Sequence, residues 1–261
     1  MAEIVVSVLS GLLAGFGTGF AGLSAAVFIA PMLSAFLGVD SFSSIGIALA
    51  SDVLASAASA LAYQRHGNID LKRSRVLFIT VLAFAVLGSI VSHLFTGLQL
   101  GESVMGWWLI AATLILGLKL LIFPSKSDNG LGKKILLPEP LLMFLCGAYI
   151  GFVCGFQGTG GGLMLLFVLN ILIGLEFKKA VGTSVCIMAF TALIGAISHF
   201  TLRGIPDLKL LILCISFTLI GAGIAALIAN RIPSVLLKRI TGGLMAVSGI
   251  AMIIFNHNFY F

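Results

Sequence analysis

The stretch Gln157-Gly158-Thr159-Gly160-Gly161-Gly162 places four glycines within five residues of an otherwise apolar run. Each glycine costs a helix interior about 1 kcal/mol relative to alanine, so the run is expected to break here and start a new helix at Leu163. Glycine turns with positive φ and lets a ligand approach the backbone closely. The unpaired N–H groups of the new helix's first turn, with the positive end of its dipole, form an anion site without a formal cation. Thr159 and Gln157 add side-chain donors. The alternative is that these glycines only let helices pack closely, as small-xxx-small patterns do.

A second candidate is Asp52, flanked by Ser51 and Ser56 in the middle of an apolar run. A carboxyl at membrane depth costs about 2.5–3.5 kcal/mol if charged, and such residues face a pathway or pair with a neighbour. A proton-coupling role, or a hydrogen bond to the anion site, is set against a structural serine-paired Asp. Thr183 and Ser184 sit one to two turns into a later run, where their hydroxyls reach the centre or bond back to their own helix. His93 and His199 lie toward run ends and read as structural. Trp107 and Trp108 suit an interfacial anchor. Cys146, Cys154, Cys186 and Cys214 all fall in apolar runs, without metal-ligand spacing, and read as buried thiols.

The elements that position these residues come in duplicate. Gly15-Phe16-x-x-Gly19-Phe20-x-Gly22 recurs as Gly151-Phe152-x-x-Gly155-Phe156-x-Gly158, an offset of 136 that also carries Gly38 onto Gly174 and Gly46 onto Gly182. One residue of slip later, Gly67-Asn68-Ile69-Asp70-Leu71-Lys72 matches Gly204-Ile205-Pro206-Asp207-Leu208-Lys209. Residues 1–123 form a first repeat, 124–138 a cytoplasmic linker and 139–261 a second repeat. Each repeat begins with a long run, about Ile4 to Leu37 and about Leu141 to Leu175. The first is interrupted by Gly15, Gly17, Gly19 and Gly22, the second by Gly158 and Gly160 to Gly162. Three spans follow, near Phe42–Gln64, Val76–Leu98 and Ser103–Phe123, then near Lys179–Leu202, Leu208–Asn230 and Ser234–Phe255. Thr18, Gly19, Gly22 and Ser24 are the first repeat's counterparts of the glycine-rich site. Asp52 falls opposite Met188, so the halves are not chemically equivalent. Gly88→Ala, in an ordinary span, is expected to leave anion affinity nearly unchanged.

The basic residues orient the repeats. If each broken run crosses once, the halves are parallel, and ten Lys and Arg lie inside with five outside. If each is a re-entrant hairpin, or two short spans, the halves invert, and only Arg203 and Lys209 of the 15 remain outside. The positive-inside rule favours the inverted arrangement, which puts both termini on the exterior.

Composition agrees with this architecture. The 261 residues are 60% hydrophobic and 9% charged, with mean hydropathy +1.20, against about 25% charged in soluble domains. Lipid must solvate most of such a chain, and its apolar runs approach the ~20 residues of a transmembrane helix almost end to end. The net charge of +6 sits in short loops. This is a topology signal with no basic face for nucleic acid. The expected fold is all-α and polytopic: two inverted repeats, each a glycine-broken helical hairpin plus three transmembrane helices. No cleavable signal peptide is expected, because Met1-Ala-Glu-Ile lacks a basic n-region. An enzyme is disfavoured, since no paired carboxylates, metal-spaced histidines or Ser/His pair lie at equal depth. No cofactor is expected. A channel is the competing class, and inverted repeats favour alternating access.

Gly151-Phe152-Val153-Cys154-Gly155-Phe156 with Gln157 to Gly162, the Ala180-Val181-Gly182-Thr183-Ser184 run, and the Arg65-His66-Gly67-Asn68-Ile69-Asp70 loop resemble the sulfite exporter TauE/SafE family of membrane transporters. The resemblance covers nearly the whole chain. It implies a transporter in the cell inner membrane that moves sulfite, sulfoacetate, a taurine-derived sulfonate or a related small anion, often as export. The alternative within transport is a proton-linked carrier of another small anion, such as a carboxylate. The implied partners are a small anion, the lipid bilayer and, as an option, a second copy of the chain. Leu23-Ser24-Ala25-Ala26 departs from the glycine-rich pattern, which makes a lesser contribution expected from the first half.

Overall fold

The computed structural model describes residues 1–94, 114–115, 117–122, 137–157 and 160–256. Among these, all regular structure is helical: α1 (Ala2–Ala21), α2 (Ala26–Leu37), α3 (Ser41–Arg65), α4 (Arg75–Leu94), α5 (Glu139–Gln157), α6 (Gly162–Phe167, continuing as a π turn through Val168–Leu172), α7 (Phe177–Arg203), α8 (Leu208–Arg231) and α9 (Ser234–Asn256). Six of them, α1, α3, α4, α5, α7 and α8, are long and apolar enough to cross a membrane. Large apolar side chains stay exposed along them: Ile79 is 64% exposed and Ile212 61%. Those faces suit hydrocarbon, not water. The chain is a polytopic membrane protein.

Only the last of the first run's glycines breaks the helix. α1 continues through Gly15, Gly17 and Gly19 and stops at Gly22, whose φ of 64° lets its N–H bond back to Thr18. The expected interruptions at Gly15, Gly17 and Gly19 are helix surface instead. Gly11, Gly15 and Gly19 lie four apart on one stripe, and α8 packs into it, with Cys214 to Thr218, Gly221 to Ala222 and Ala225 to Ala226 against the bare backbone. Their copies Gly147, Gly151 and Gly155 do the same for α4, facing Leu77 to Thr80, Val81 to Phe84 and Ala85 to Ser89. Small residues at this spacing let backbones approach closely. The first helix of each half therefore packs across the halves, α1 on α8 and α5 on α4, and α3 and α7 pack together.

α2 doubles back on α1. The Phe28 ring lies over Gly17, and Leu37 to Asp40 at the far end of α2 share one cavity with Glu3 at the start of α1. Asp40 then caps α3, accepting the Ser43 N–H at 3.0 Å. Asp207 caps α8 in the same way, accepting from Lys209 and Leu210. Such caps satisfy donors that a helix start leaves unpaired. One end of the bundle gathers Glu3, Asp40 and Asp207, with an ion pair of 2.7 Å between Lys209 and Glu3. The other end gathers the 66–74 loop, Glu139, Ile173, Lys178 and Asn230. α3 runs from the first end to the second, and α7 runs the opposite way.

Candidate functional site

The two helix breaks meet at Asp52. This side chain is 0% exposed in the middle of α3. Its Oδ2 lies 2.5 Å from the Ser24 hydroxyl, and the Ala25 N–H also reaches the carboxylate. Ser24 in turn accepts the Gly160 N–H at 3.3 Å and the Ala26 N–H at 3.3 Å. A relay results, from backbone amides through one hydroxyl to one carboxylate, and each bond polarises the next. Thr18 stands 3.4 Å from Asp52 Oδ1 but 2.8 Å from the Leu23 carbonyl. With a single proton to donate, it serves the carbonyl first.

The breaks bring the starts of two short helices to this point. α2 starts at Ala26, and α6 starts after Gly161, whose φ of 68° makes the turn. The second helix thus begins at Gly162, one residue before the expected Leu163. Helix starts carry unpaired N–H groups and the positive end of the dipole. Before α2 the Ala25 N–H faces the protein's own carboxylate, and before α6 the Gly160 N–H reaches it through Ser24. A Cβ at Gly160 would meet Met188 Cγ at 3.0 Å, Asp52 Oδ2 at 3.1 Å and Ser24 Oγ at 3.2 Å, so a side chain here would crowd all three. Gly162 packs on the Gly22 carbonyl and Met188. Ser184 lies against Gly22, and its hydroxyl donates to Val181 O in its own helix.

The structure thus gathers Thr18, Gly22, Ser24, Asp52, Gly160, Gly161, Gly162 and Ser184. Two other candidates stand elsewhere. Gly19 belongs to the α8 contact, and its carbonyl accepts the Tyr63 hydroxyl at 3.0 Å. Thr183 accepts the Asp70 N–H at 3.0 Å and ties the 66–74 loop to the start of α7. Gln157 ends α5; its side chain, with Gly158 and Thr159, lies outside the described residues. The same holds for Trp107, Trp108, the side chain of His93 and nearly all of the 124–138 linker. The ring of His199 stacks near Phe42 at the end opposite the 66–74 loop, 4.1 Å between centroids.

Sequence reasoning missed two neighbours. Thr191 donates to the Gly160 carbonyl at 3.0 Å and so holds the second break from α7. Met188, noted only as the counterpart of Asp52, packs against Gly160 and Gly162. A hydroxyl three residues after the Asp52-equivalent position was the available signal. Among the described residues, no three His, Cys, Asp or Glu side chains group as metal ligands. Cys154 and Cys214 are buried and Cys146 and Cys186 half-buried, and none of the four is disulfide-bonded.

The comparisons with known proteins converge on transport. The chain is 26% identical over 97% of its length to all of the Probable membrane transporter protein YdhB of Bacillus subtilis (strain 168). It is 27% identical over 76% of its length to 78% of the Probable membrane transporter protein YunE of the same organism. No solved structure matches it. The sequence profile described as Sulfite exporter TauE/SafE matches residues 7–252. With that match spanning nearly every residue and a duplicated helical bundle beneath it, this chain belongs to the TauE/SafE family of membrane transporters.

Proposed function

We propose that this chain is a secondary transporter that exports a small sulfur-containing anion, sulfite or an organosulfonate, by alternating access across the cell membrane. The observation that carries the reading is the junction of two helix breaks, where the Ser24 hydroxyl, itself bonded by the Gly160 N–H, and the Ala25 N–H hold one buried carboxylate. Donors that accept Asp52 suit a second oxyanion of similar size. The two anions compete for the same donors, and two like charges a few ångströms apart in a low-dielectric site repel strongly. Asp52 must therefore take up a proton, or swing away, when the substrate enters. That exchange couples proton and anion.

Two inverted repeats supply the motion. The reading is supported by the doubling back of α2, by the opposed directions of α3 and α7, and by the ion pairs at opposite ends. Lys209–Glu3 joins the second half's loop to the first half, and Arg73–Glu139 does the converse. The end carrying the 66–74 loop is cytoplasmic, because it holds Arg65, Lys72, Arg73, Arg75, Lys178 and Arg231, against Arg203 and Lys209 at the other. The N-terminus then faces the exterior.

The substrate class is tested by thermal shift of the purified protein with sulfite, thiosulfate, sulfoacetate, taurine and acetate. Sulfite or a sulfonate should stabilise the fold more than acetate does at equal concentration. Preferential stabilisation by acetate would move the assignment to a proton-linked carboxylate carrier, and no response to any of the five would refute the central site.

A further inference from the structure

The two ends of the bundle are chemically unequal in this conformation, although the sequence repeat relates them. At one end Arg73 clasps Glu139 with two hydrogen bonds, of 2.8 and 3.2 Å, and reaches the Ile173 carbonyl at 3.1 Å. Beside it, the Asp70 N–H donates to Thr183, and Asn68 donates to Asn230 at 2.6 Å. Gly182 is pressed against the Asn68 backbone, with no room for a side chain. This end is shut.

The other end holds a cavity of about 550 Å³. Carrying five residues of the closed end onto the other half, by subtracting 136 from those of the second repeat and adding 137 to those of the first, gives residues that line this cavity. Glu139 becomes Glu3, Ile173 becomes Leu37 and Thr183 becomes Ile47. Asp70 becomes Asp207 and Arg73 becomes Leu210. All five counterparts face the open space. Five positions bonded at the closed end thus have counterparts that line open space at the other, where Lys209 and Glu3 keep an ion pair.

We propose that these two sets are the alternating gates of the transporter: the Asn68–Asn230, Asp70–Thr183 and Arg73–Glu139 contacts lock the 66–74 end in this outward-facing state. In the opposite state the 204–210 loop closes on α2 and α3 while the 66–74 loop lifts from α6 and α7. The inference rests on the inverted-repeat reading above and adds the residues that hold the gate. The halves lock with different chemistry. The closed end uses directional polar bonds between the halves, whereas at its counterpart Ile47, Leu37 and Leu210 would meet by apolar contact beside the Lys209–Glu3 ion pair. The polar lock must also be undone by something, and the substrate and proton at Asp52 are the available source.

The test needs no substrate in its first arm. Ser43, in the cavity wall, is replaced in Ser43→Cys, and its reaction with a membrane-impermeant maleimide is followed in sealed vesicles, with the wild-type protein correcting for native thiols. In Ser43→Cys the exterior reagent should label rapidly. Adding Asn68→Ala and Arg73→Ala should slow that labelling by about fivefold or more, as the population moves to the state in which the cavity is closed. Unchanged or faster labelling in the folded triple variant would overturn the proposal. In the second arm, Asn68→Cys/Asn230→Cys is oxidised, the disulfide is verified by mass, and counterflow of sulfite is measured before and after reduction. Counterflow should vanish on oxidation and return on reduction. Full counterflow with the disulfide intact would likewise overturn the gate. Rapid labelling only from the cytoplasmic side, still slowed in the triple variant, would uphold the gate and refute the orientation. A wrong substrate would leave the first arm untouched.

Discussion

At Ser24 one hydroxyl connects the two repeats, because it accepts from Gly160 of the second and donates to Asp52 of the first. Ser24→Ala should weaken anion binding by about 1.5–3 kcal/mol, the range for a hydrogen bond to a charged partner, as calorimetry on the folded variant would read. The same calorimetry across pH addresses Asp52. If substrate displaces the ionised carboxylate, the affinity of a strong-acid sulfonate should fall as pH rises through the titration of Asp52. Asp52→Asn should bind with no such dependence, lose pH-driven transport and retain counterflow. A pH profile unchanged in Asp52→Asn would remove the residue from coupling. Gly160→Ala is the sharpest steric probe, since its methyl would intrude between Asp52, Ser24 and Met188 without needing positive φ. It should lose anion binding with a modest change in melting temperature. Gly161, by contrast, is held at φ 68° against Cys154, so Gly161→Val should fail to fold. The sequence showed Asp52 as anomalous, because a carboxyl in an apolar run stands out by type. It undervalued Ser24, flanked by alanines, because the residue's role depends on a partner 136 positions away.

The helices divide their glycines between two tasks that look the same in sequence. Gly11, Gly15 and Gly19, with Gly147, Gly151 and Gly155, make interhelical contacts, while Gly22 and Gly161 make turns. Gly15→Ala or Gly151→Ala should overpack the α1–α8 or α4–α5 contact and lower stability by about 1–3 kcal/mol. Gly223→Ala, with nothing within 4 Å of the new atom, should not; equal melting temperatures for all three would contradict the packing account. Gly88 shows the same point, since the span that reads as ordinary presses its backbone on Phe152 and Phe156 of α5, so alanine there is not neutral. Among the described residues, the order and apolar nature of the helices were legible from the repeat and the hydropathy runs. Which helix packs on which was not: a stripe of small residues announces that a neighbour comes close without naming it, and here the neighbour belongs to the other half. Thr183 was misjudged for a related reason, since its depth along α7 was readable but its loop partner was not.

For the molecule as a whole, the account requires that both ends of the bundle be reachable from opposite sides of the membrane. A cysteine at Ser127 should label only from the cytoplasmic side and one at Thr201 only from the exterior; labelling of both from one side, as parallel halves require, would sink the inverted arrangement. Clustered charge supports the same orientation, and Glu3 raises the pKa of Lys209 by accepting its hydrogen bond. The shared centre between two unlike halves also separates a carrier from a pore. A carrier that closes one end as it opens the other must carry its substrate back, so flux saturates and is accelerated by substrate on the far side. The most direct measurement is counterflow of labelled sulfite in proteoliposomes, with taurine, sulfoacetate and acetate as competitors on the opposite face. The account predicts saturable uptake, stimulated by internal sulfite or sulfonate and weakly by acetate, and reduced in Ser24→Ala. Flux that rises linearly with concentration and ignores the opposite face would show a channel, and would contradict alternating access at the Ser24–Asp52–Gly160 centre.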